Sequence, residues 1–188
     1  YIDIYYLHKE DLNTPLVETM RALGDLVSEG KIRYYGLSNY RSWRVAEICR
    51  ICDDLGIDRP IVSQPYYNAM NRMPEVEHLP ACDYYGLGVV PYSPLARGVL
   101  TGKYLPNDAP PDESRAGRGD ERIMQSEWRE ESLIIARTLE KHSEALGITA
   151  GQFAFAWVLN NKLVHSTTAG PRTPAQRPEN LRRLHRNS

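Results

Sequence analysis

The chain has 188 residues, 41% of them hydrophobic, so it can build one sizeable core but is short for two domains. Its charge is balanced, with 23 Lys and Arg against 24 Asp and Glu, which gives no reason to expect nucleic acid or an anionic membrane as a partner. No apolar run reaches the roughly 20 residues that span a membrane, and the first residues, YIDIYYLHKE, do not resemble a signal peptide.

The first half of the chain alternates short apolar strands with helical patterns. Strand 2–7 precedes a helix over 14–30, for which Thr14 is the predicted N-cap and Pro15 the first helical residue. The elements predicted next are strand 32–37, helix 42–55 closed by Gly56, strand 60–64, helix 74–85 closed by Gly86, and strand 87–92.

The second half begins with a long stretch rich in Gly, Pro and Arg that runs to about residue 127. Two helices are predicted over 128–146 and 149–160, followed by a fifth strand over 163–168. A last helix is predicted to begin at Thr173.

The spacing of these elements predicts an α/β fold with five strands. The first four strands start about 30 residues apart, the length of a βα unit, and they are apolar runs without clean alternation, as in a parallel sheet covered by helices. An open doubly wound sheet and a TIM barrel both fit this pattern. The absence of a G-x-G-x-x-G fingerprint favours the barrel modestly.

Polar or aromatic side chains follow each of the first four strands. His8 comes after the first strand, Ser38 and Asn39 after the second, Gln64 at the end of the third, and Tyr92 with Ser93 after the fourth. Because the carboxyl ends of barrel strands share one face, where active sites are built, this pattern favours a catalytic rim over ordinary loop polarity.

Five segments in order carry a family resemblance: YIDIYYLH, GKIRYYGLSNY, SQPYYNAMNR, PYSPLARGVLTGKY and AGPRTPAQRPEN. Together they resemble the aldo-keto reductase superfamily, and most of all the branch that includes potassium channel β subunits and many bacterial reductases. The resemblance implies a (β/α)8 TIM barrel, of which residues 1–188 would form one partial domain from about the fourth strand to the eighth. The first three βα units would then be missing.

The resemblance also implies roles for the residues at the strand ends. His8 matches the histidine that orients the substrate carbonyl, where an imidazole can polarise the oxygen. Ser38, Asn39 and Gln64 match the residues that bind the nicotinamide carboxamide, since amide side chains both donate and accept hydrogen bonds. Tyr92 matches the aromatic residue that stacks under the nicotinamide ring.

The other end of the cofactor is assigned in the same way, and the implied cofactor is NADPH/NADP+. Arg172 is the reason for preferring NADPH over NADH, because an arginine can pair bidentately with a 2′-phosphate. The residues implied at the pyrophosphate are Ser93, Pro94, Leu95, Ala96, Arg97, Lys103 and Arg115. Those implied at the adenosine end are Gly170, Arg172, Gln176, Glu179 and Asn180.

Two functions follow from the resemblance. The first is NADPH-dependent reduction of aldehydes or ketones to alcohols, with a small-molecule carbonyl compound as substrate. The family's catalytic Tyr, Asp and Lys belong to the missing units, so the fragment is expected to be inactive alone. The alternative is a non-catalytic NADP(H)-binding or partner-binding module like the channel β subunits. A partial barrel has bare strand edges and should associate, so a homo-oligomer is one expected assembly.

The cysteines and histidines indicate neither a disulfide framework nor a metal site. Three cysteines, Cys49, Cys52 and Cys82, are an odd and sparse count, which indicates a reducing compartment and a cytoplasmic location. Cys49 and Cys52 form a C-x-x-C, but they lie in a helical pattern without a second ligand pair, so we interpret them as helix packing residues. The five histidines show no metal-ligand spacing.

Overall fold

A computed structural model describes residues 1–104 and 109–170. In this part of the chain, two compact units can be distinguished. The first comprises Tyr1–Tyr66, Arg72–Tyr92 and Lys162–Thr167, and the second comprises Tyr67–Asn71 and the described residues of 93–161 and 168–170. The prediction of a single barrel domain over 1–188 stays a prediction.

The first unit is a parallel sheet with helices between its strands, which confirms the predicted α/β class. Its elements are β1 (Ile2–Leu7), α1 (Leu16–Ser28), β2 (Ile32–Ser38), α2 (Ser42–Leu55), β3 (Val62–Gln64), a 3₁₀ turn (Met73–Glu75), α3 (His78–Tyr85) and β4 (Gly88–Val89). The strands are hydrogen-bonded in the order β1-β2-β3-β4, all parallel. Each strand therefore lies beside the one that precedes it in sequence, as expected of successive βα units.

Gly36 allows the centre of this sheet to pack closely. It pairs with Tyr6 on β1 and with Val62 on β3. A Cβ at this position would lie 2.6 Å from Val62 Cγ1 and 2.8 Å from Tyr6 Cε1. Only a residue without a side chain fits here, because such contacts are well inside van der Waals distance.

The predicted helix ends are correct in some places and wrong in others. Helix α2 has the predicted bounds, and Gly56 and Gly86 close α2 and α3 in the left-handed conformation. The predicted cap of α1 is wrong: Pro15 is the N-cap, and Thr14 instead donates from Oγ1 to Asp11 Oδ2 at 2.6 Å. The hydroxyl forms a local turn and is therefore not used to cap the helix.

The predicted continuous helix over 74–85 is also wrong. The chain forms the 3₁₀ turn, breaks at Glu77 and starts α3 at His78. A continuous helix would place Pro80 in its interior, where the missing N–H and the ring are unfavourable, whereas the first turn of α3 tolerates it. Helix α3 is correspondingly short.

The predicted fifth strand over 163–168 does not form. This segment lies beside β4, with the backbone N–H groups of His165 and Ser166 donating to Val89 O at 2.9 and 3.4 Å. The Val89 N–H, however, donates to the imidazole Nδ1 of His165 at 3.1 Å. Because a side chain accepts the bond that a strand carbonyl would accept, no regular ladder forms and the described residues contain four strands.

The second unit is helical. It contains a 3₁₀ segment (Ala96–Thr101), α4 (Glu121–Ser126), α5 (Glu130–Ala145) and α6 (Ala150–Leu159). Helix α6 begins with a capping box between Thr149 and Gln152. Helix α4 falls inside the stretch predicted to be irregular, and the Asp120 carboxylate caps it by accepting from the Arg122 and Ile123 N–H groups. The core of this unit includes Val99, Leu100, Tyr104, Ile123, Leu133, Leu139 and Ala154.

Candidate functional site

Polar side chains gather at the carboxyl edge of the sheet in the first unit. His8 directly follows β1, and Ser38, the last residue of β2, pairs in register with Gln64, the last residue of β3. Asn39 comes next on the chain, and Tyr92 forms a parallel bridge with Tyr66 beyond the ends of β3 and β4. The structure thus brings these predicted site residues of the first unit to one edge.

Asn39 is the centre of a hydrogen-bond network at this edge. Its Nδ2 donates to the backbone oxygen of His8 at 2.8 Å and to Ser38 Oγ at 3.1 Å. Its Oδ1 accepts from the Tyr92 hydroxyl at 2.9 Å. The backbone of Asn39 is left-handed, with φ of 61°, a conformation that asparagine tolerates better than most residues. One side chain thus connects residues that follow three different strands.

Ser38 and Gln64 lie in the middle of this edge, at the ends of β2 and β3. Ser38 is buried, and its Oγ donates to the backbone oxygen of Gln64 at 2.9 Å. The Gln64 side chain hydrogen-bonds Tyr6 on the neighbouring strand. Partial burial raises the pKa of Tyr6 above its ordinary value, and the bond from Gln64 opposes part of that rise. Tyr6 therefore stays a neutral phenol at physiological pH.

The neighbours of Tyr92 fix the orientation of its aromatic ring. Its ring stacks on Tyr66 with a centroid distance of 5.4 Å and an interplanar angle of 30°. Its backbone N–H donates to Pro65 O at 2.9 Å. A ring fixed by stacking, by a backbone bond and by its hydroxyl suits the recognition of another flat, conjugated group.

In the second unit, the predicted pyrophosphate loop has an unusual backbone. Ser93, Ala96 and Arg97 have φ of 55°, 46° and 53°, and these are three of the four non-glycine residues with positive φ in the described chain. The N–H groups of Ala96 and Gly98 donate to Ser93 O and Leu95 O at 2.9 and 2.8 Å, so they stabilise the loop's own turns. Such clustered strain is typical of functional loops that the surrounding structure holds in place.

Asn68 holds the start of this loop, and sequence reasoning missed it. It is fully buried, its Nδ2 donates to Ser93 O at 3.1 Å, and its Oδ1 accepts from the N–H groups of Met70 and Asn71 at 3.0 and 2.9 Å. The segment NAMNR contains two asparagines three residues apart, which is typical of a tight turn. That signal could have identified the turn at Asn68, although not its bond to Ser93.

The basic residues of the loop are held by contacts within the second unit. Arg97 Nε donates to Ser126 Oγ at 3.3 Å and lies 3.9 Å from Oε1 of the buried Glu127. Lys103 Nζ lies 5.0 Å from the ring centroid of Tyr104 and against Gly98. Both cations could contribute to binding an anion, and Glu127 is a contact that the sequence did not reveal.

The other predicted cofactor residues fall in less constrained places. Pro94 is buried and Leu95 is partly buried, whereas Arg115 is partly exposed and accepts a backbone bond from Asp120 N–H at 3.0 Å. Gly170 is exposed. The remaining predicted residues lie outside the described residues: Arg172, Gln176, Glu179 and Asn180.

The cysteines lie away from this edge, on the helices of the first unit. Cys49 and Cys52 are buried on α2 and Cys82 is buried on α3, all as free thiols. Burial raises the pKa values of Cys49 and Cys82 to about 11. The thiols therefore stay protonated at neutral pH. Over 1–104 and 109–170, no group of three or more His, Cys, Asp or Glu is placed to hold a metal ion.

Comparison with known proteins shows the family. The profile of the Aldo/keto reductase family matches residues 1–187, so the chain belongs to this family, whose fold is the (β/α)8 barrel. The four-stranded parallel sheet is consistent with part of such a barrel. The predicted family and fold class are thereby confirmed.

The similar proteins fall into two groups. A probable voltage-gated potassium channel subunit beta from Oryza sativa subsp. japonica is 34% identical over 185 residues, covering 98% of this chain and 56% of that protein. Aflatoxin B1 aldehyde reductase member 2 from Mus musculus is 50% identical over 107 residues, covering 57% of this chain and 29% of that protein. Aldo-keto reductase family 7 member A3 from Homo sapiens is 47% identical over 107 residues, covering 57% of this chain and 32% of that protein.

The chain spans about half the length of the curated relatives to which nearly all of its residues align. Among the described residues, no helix is both long enough and apolar enough to cross a membrane.

Proposed function

We propose that the protein is an NADP(H)-dependent aldo-keto reductase that reduces aldehyde or ketone carbonyls to alcohols. In this proposal the chain contributes His8 and much of the cofactor site. The observation that carries it is the network around Asn39, which links His8, Ser38 and Tyr92 at the carboxyl edge of a parallel sheet. Active sites of barrel enzymes are built at this edge.

The chemistry of the donor set fits the nicotinamide end of the cofactor. A carboxamide needs both donors and acceptors, and the amide of Gln64 and the oxygens of Ser38 and Asn39 provide them. The Tyr92 ring offers a flat surface for the pyridine. The chemistry that a reduced nicotinamide supplies when bound is hydride donation to a carbonyl carbon.

His8 is the group that this chain would offer to the substrate. It is exposed at the end of β1, and its backbone oxygen is held by Asn39 at 2.8 Å. A ring N–H of the imidazole can donate to a carbonyl oxygen and stabilise the negative charge that develops there. The similar proteins named aldehyde reductases support an aldehyde as the substrate class.

In the second unit, Arg97 and Lys103 would supply positive charge to the pyrophosphate, and the predicted Arg172 would pair with a 2′-phosphate. Fluorescence titration of the purified chain tests this assignment. We expect Arg172→Ala to weaken NADPH binding by about tenfold, the loss of one charge-assisted contact, while NADH affinity is unchanged. The matched control is Arg21→Ala on the exposed side of α1. Equal NADPH affinity of Arg172→Ala and the control would reject the 2′-phosphate assignment.

A second candidate is a non-catalytic NADP(H)-binding or partner-binding module. It is favoured by the similarity to potassium channel β subunits, which covers 98% of the chain. The two candidates differ in the residues upstream of Tyr1, where a Tyr, an Asp and a Lys at family spacing would favour the enzyme. We expect negligible reductase activity from the 188-residue chain itself. NADPH oxidation by a length-verified sample with a reactive aldehyde would contradict this expectation.

Location and assembly complete the proposal. Three buried free thiols are compatible with a reducing environment, and on that ground we propose a cytoplasmic location. A homo-oligomer is the proposed assembly, and sedimentation of the purified chain tests it.

A further inference from the structure

Three polar side chains of the first unit form a cluster between β3 and α3. Ser63 is the middle residue of β3, and His78 and Cys82 are one turn apart on α3. The His78 Nε2 atom lies 2.8 Å from Ser63 Oγ and 3.6 Å from Cys82 Sγ. Ser63 and Cys82 are buried, and His78 is partly buried. The proposed carbonyl reduction uses none of these three side chains.

The direction of the hydrogen bonds follows from the acceptors that the cluster contains. Cys82 also hydrogen-bonds Ser63. If the His78 Nε2 carries no proton, Cys82 can donate to Ser63 and Ser63 can donate to His78, so that each buried proton has an acceptor. With a proton on Nε2, one of the three protons would have no acceptor within the cluster. The contacts therefore favour the neutral tautomer that carries its proton on Nδ1.

The surroundings of the His78 ring disfavour its charged form. Burial lowers the pKa of His78, and the Glu77 carboxylate opposes part of this shift. His78 is also the first residue of α3, where the positive end of the helix dipole is unfavourable for an imidazolium. Both the desolvation and the dipole thus favour the neutral ring.

The other elements packed against α3 are α2, the 3₁₀ turn and β4. Helix α2 contributes the thiol of Cys49, which burial keeps neutral, and β4 contributes no titratable side chain. The 3₁₀ turn contributes Glu75, which is paired with Arg72 at 2.7 Å. The remaining titratable residues of α3 follow in its last turn: Asp83, Tyr84 and Tyr85.

Helix α3 depends on its contacts with the rest of the unit. It has eight residues, too few for a helix to be stable alone. The bond between Ser63 and His78 connects its first residue to the sheet. An imidazolium carries a proton on both nitrogens, so Nε2 would become a donor that faces the donating Ser63 hydroxyl. Protonation would therefore remove this connection and place a charge in a buried cluster.

We propose that His78 is a pH switch for α3: the neutral ring accepts from Ser63 and holds the first turn of the helix against β3, and protonation releases that turn. Because the folded-state pKa of His78 is below the unfolded one, its stabilising contribution is complete above the unfolded value of about 6.5. The contribution is lost as pH falls through the folded-state pKa. This switch does not depend on the binding of NADP(H).

Nuclear magnetic resonance of the His78 ring tests the switch in the unchanged chain. We expect the ring nitrogen shifts at pH 7.5 to show the tautomer with its proton on Nδ1. The ring should titrate at a lower pH than histidine in an unstructured peptide. Ser63→Ala should move the titration towards that of the peptide, because it removes a hydrogen bond to the neutral ring. A neutral ring protonated on Nε2, or one that titrates at or above the pH of the peptide, would overturn the proposal.

Amide hydrogen exchange measures the release of the helix. The Ala81 N–H donates to Glu77 O at 2.9 Å and therefore reports on the first turn of α3. Between pH 7.5 and pH 5.5, we expect the opening constant at Ala81, corrected for the intrinsic exchange rate, to rise about fivefold. His78→Gln should abolish this rise, because an amide can accept from Ser63 but does not titrate.

The matched control is His142→Gln, which removes an exposed imidazole of α5 and should leave the rise at Ala81 unchanged. The absence of a rise in the unchanged chain would overturn the switch. An equal rise in His78→Gln would overturn it as well, and so would a rise that His142→Gln abolishes. The ring measurements use the unchanged chain, so they decide the proposal even where His78→Gln does not fold.

Discussion

The two units hold their predicted site residues in place by different means. In the first unit, sheet register brings the strand ends together, and the side chains there bond directly to one another, as Asn39 does with Tyr92. In the second unit, the loop of Ser93–Arg97 has three left-handed non-glycine residues and is anchored by a buried asparagine outside the loop. The first arrangement follows from backbone pairing, whereas the second depends on tertiary contacts that oppose local strain.

This difference predicts which substitution should lower the stability of each unit most. A strained loop should be most sensitive to loss of its anchor, Asn68. A paired sheet should be most sensitive to loss of close packing between strands, which Gly36 permits. Substitutions at these two positions therefore test the comparison most directly.

The largest effect is expected for Asn68→Ala in the second unit. The change removes three hydrogen bonds of a fully buried side chain, one to Ser93 O and one each from the Met70 and Asn71 N–H groups. We expect the free energy of unfolding to fall by about 3 to 4 kcal/mol, from about 1 kcal/mol per bond together with the lost packing of a fully buried side chain. Urea unfolding followed by circular dichroism measures it, with the exposed Asn13→Ala as control. A loss as small as that of the control would show that the loop needs no anchor.

A somewhat smaller effect is expected for Gly36→Ala in the first unit. The new Cβ would overlap Val62 Cγ1 and Tyr6 Cε1, so the strands must move apart. We expect a loss of about 2 to 3 kcal/mol in the free energy of unfolding, typical of overpacking. Gly88→Ala on β4 is the matched control, because its nearest neighbour, Ile61 O, would be 3.6 Å away. Equal effects of the two substitutions in urea unfolding would argue against close packing at Gly36.

The smallest expected effect is a pH dependence of the free energy of unfolding that comes from a buried cysteine of the first unit. All three cysteines lie in the first unit, and burial raises the pKa of Cys82 to about 11, with a hydrogen bond from Ser63 opposing part of the rise. Because the folded-state pKa is above the unfolded one, the stabilising contribution is complete below about pH 9 and is lost as pH rises towards 11. We expect Cys82 to account for about 2 kcal/mol of this loss.

Urea unfolding at pH 8 and pH 11 measures this contribution. Cys82→Ala should show a smaller decrease between the two pH values than the unchanged chain, although it is less stable at pH 8. Leu79→Ala, on the same helix and equally buried, is the control without a titrating group. A pH dependence that Cys82→Ala leaves unaltered would assign the alkaline loss to other groups.

The part of the fold predicted from sequence is the part decided by local signals. Helix α2 has its predicted bounds because Gly56 ends it in a conformation that glycine adopts easily. The ends of β1 and β3 were predicted because each apolar run stops at a polar residue, whereas β4 ends at Val89, before the predicted residue 92. Family resemblance, and not periodicity, then provided the roles of these residues.

The errors occur where a side chain competes with the backbone. Thr14 bonds Asp11 and does not cap α1, and the imidazole of His165 replaces a strand carbonyl. The anchoring role of Asn68 depends on a residue 25 positions further along the chain, which no local pattern reveals. The bonds of the Asn39 network likewise depend on three-dimensional proximity and could not be read from spacing.

The imidazole of His165 also affects how the sheet meets other chains. An edge strand with available N–H and C=O groups is a template on which another polypeptide can add a strand. At Val89, the ring accepts from the N–H and the following backbone donates to the carbonyl, so both groups are already engaged. The short strand β4 is therefore a poor template for strand addition at Val89.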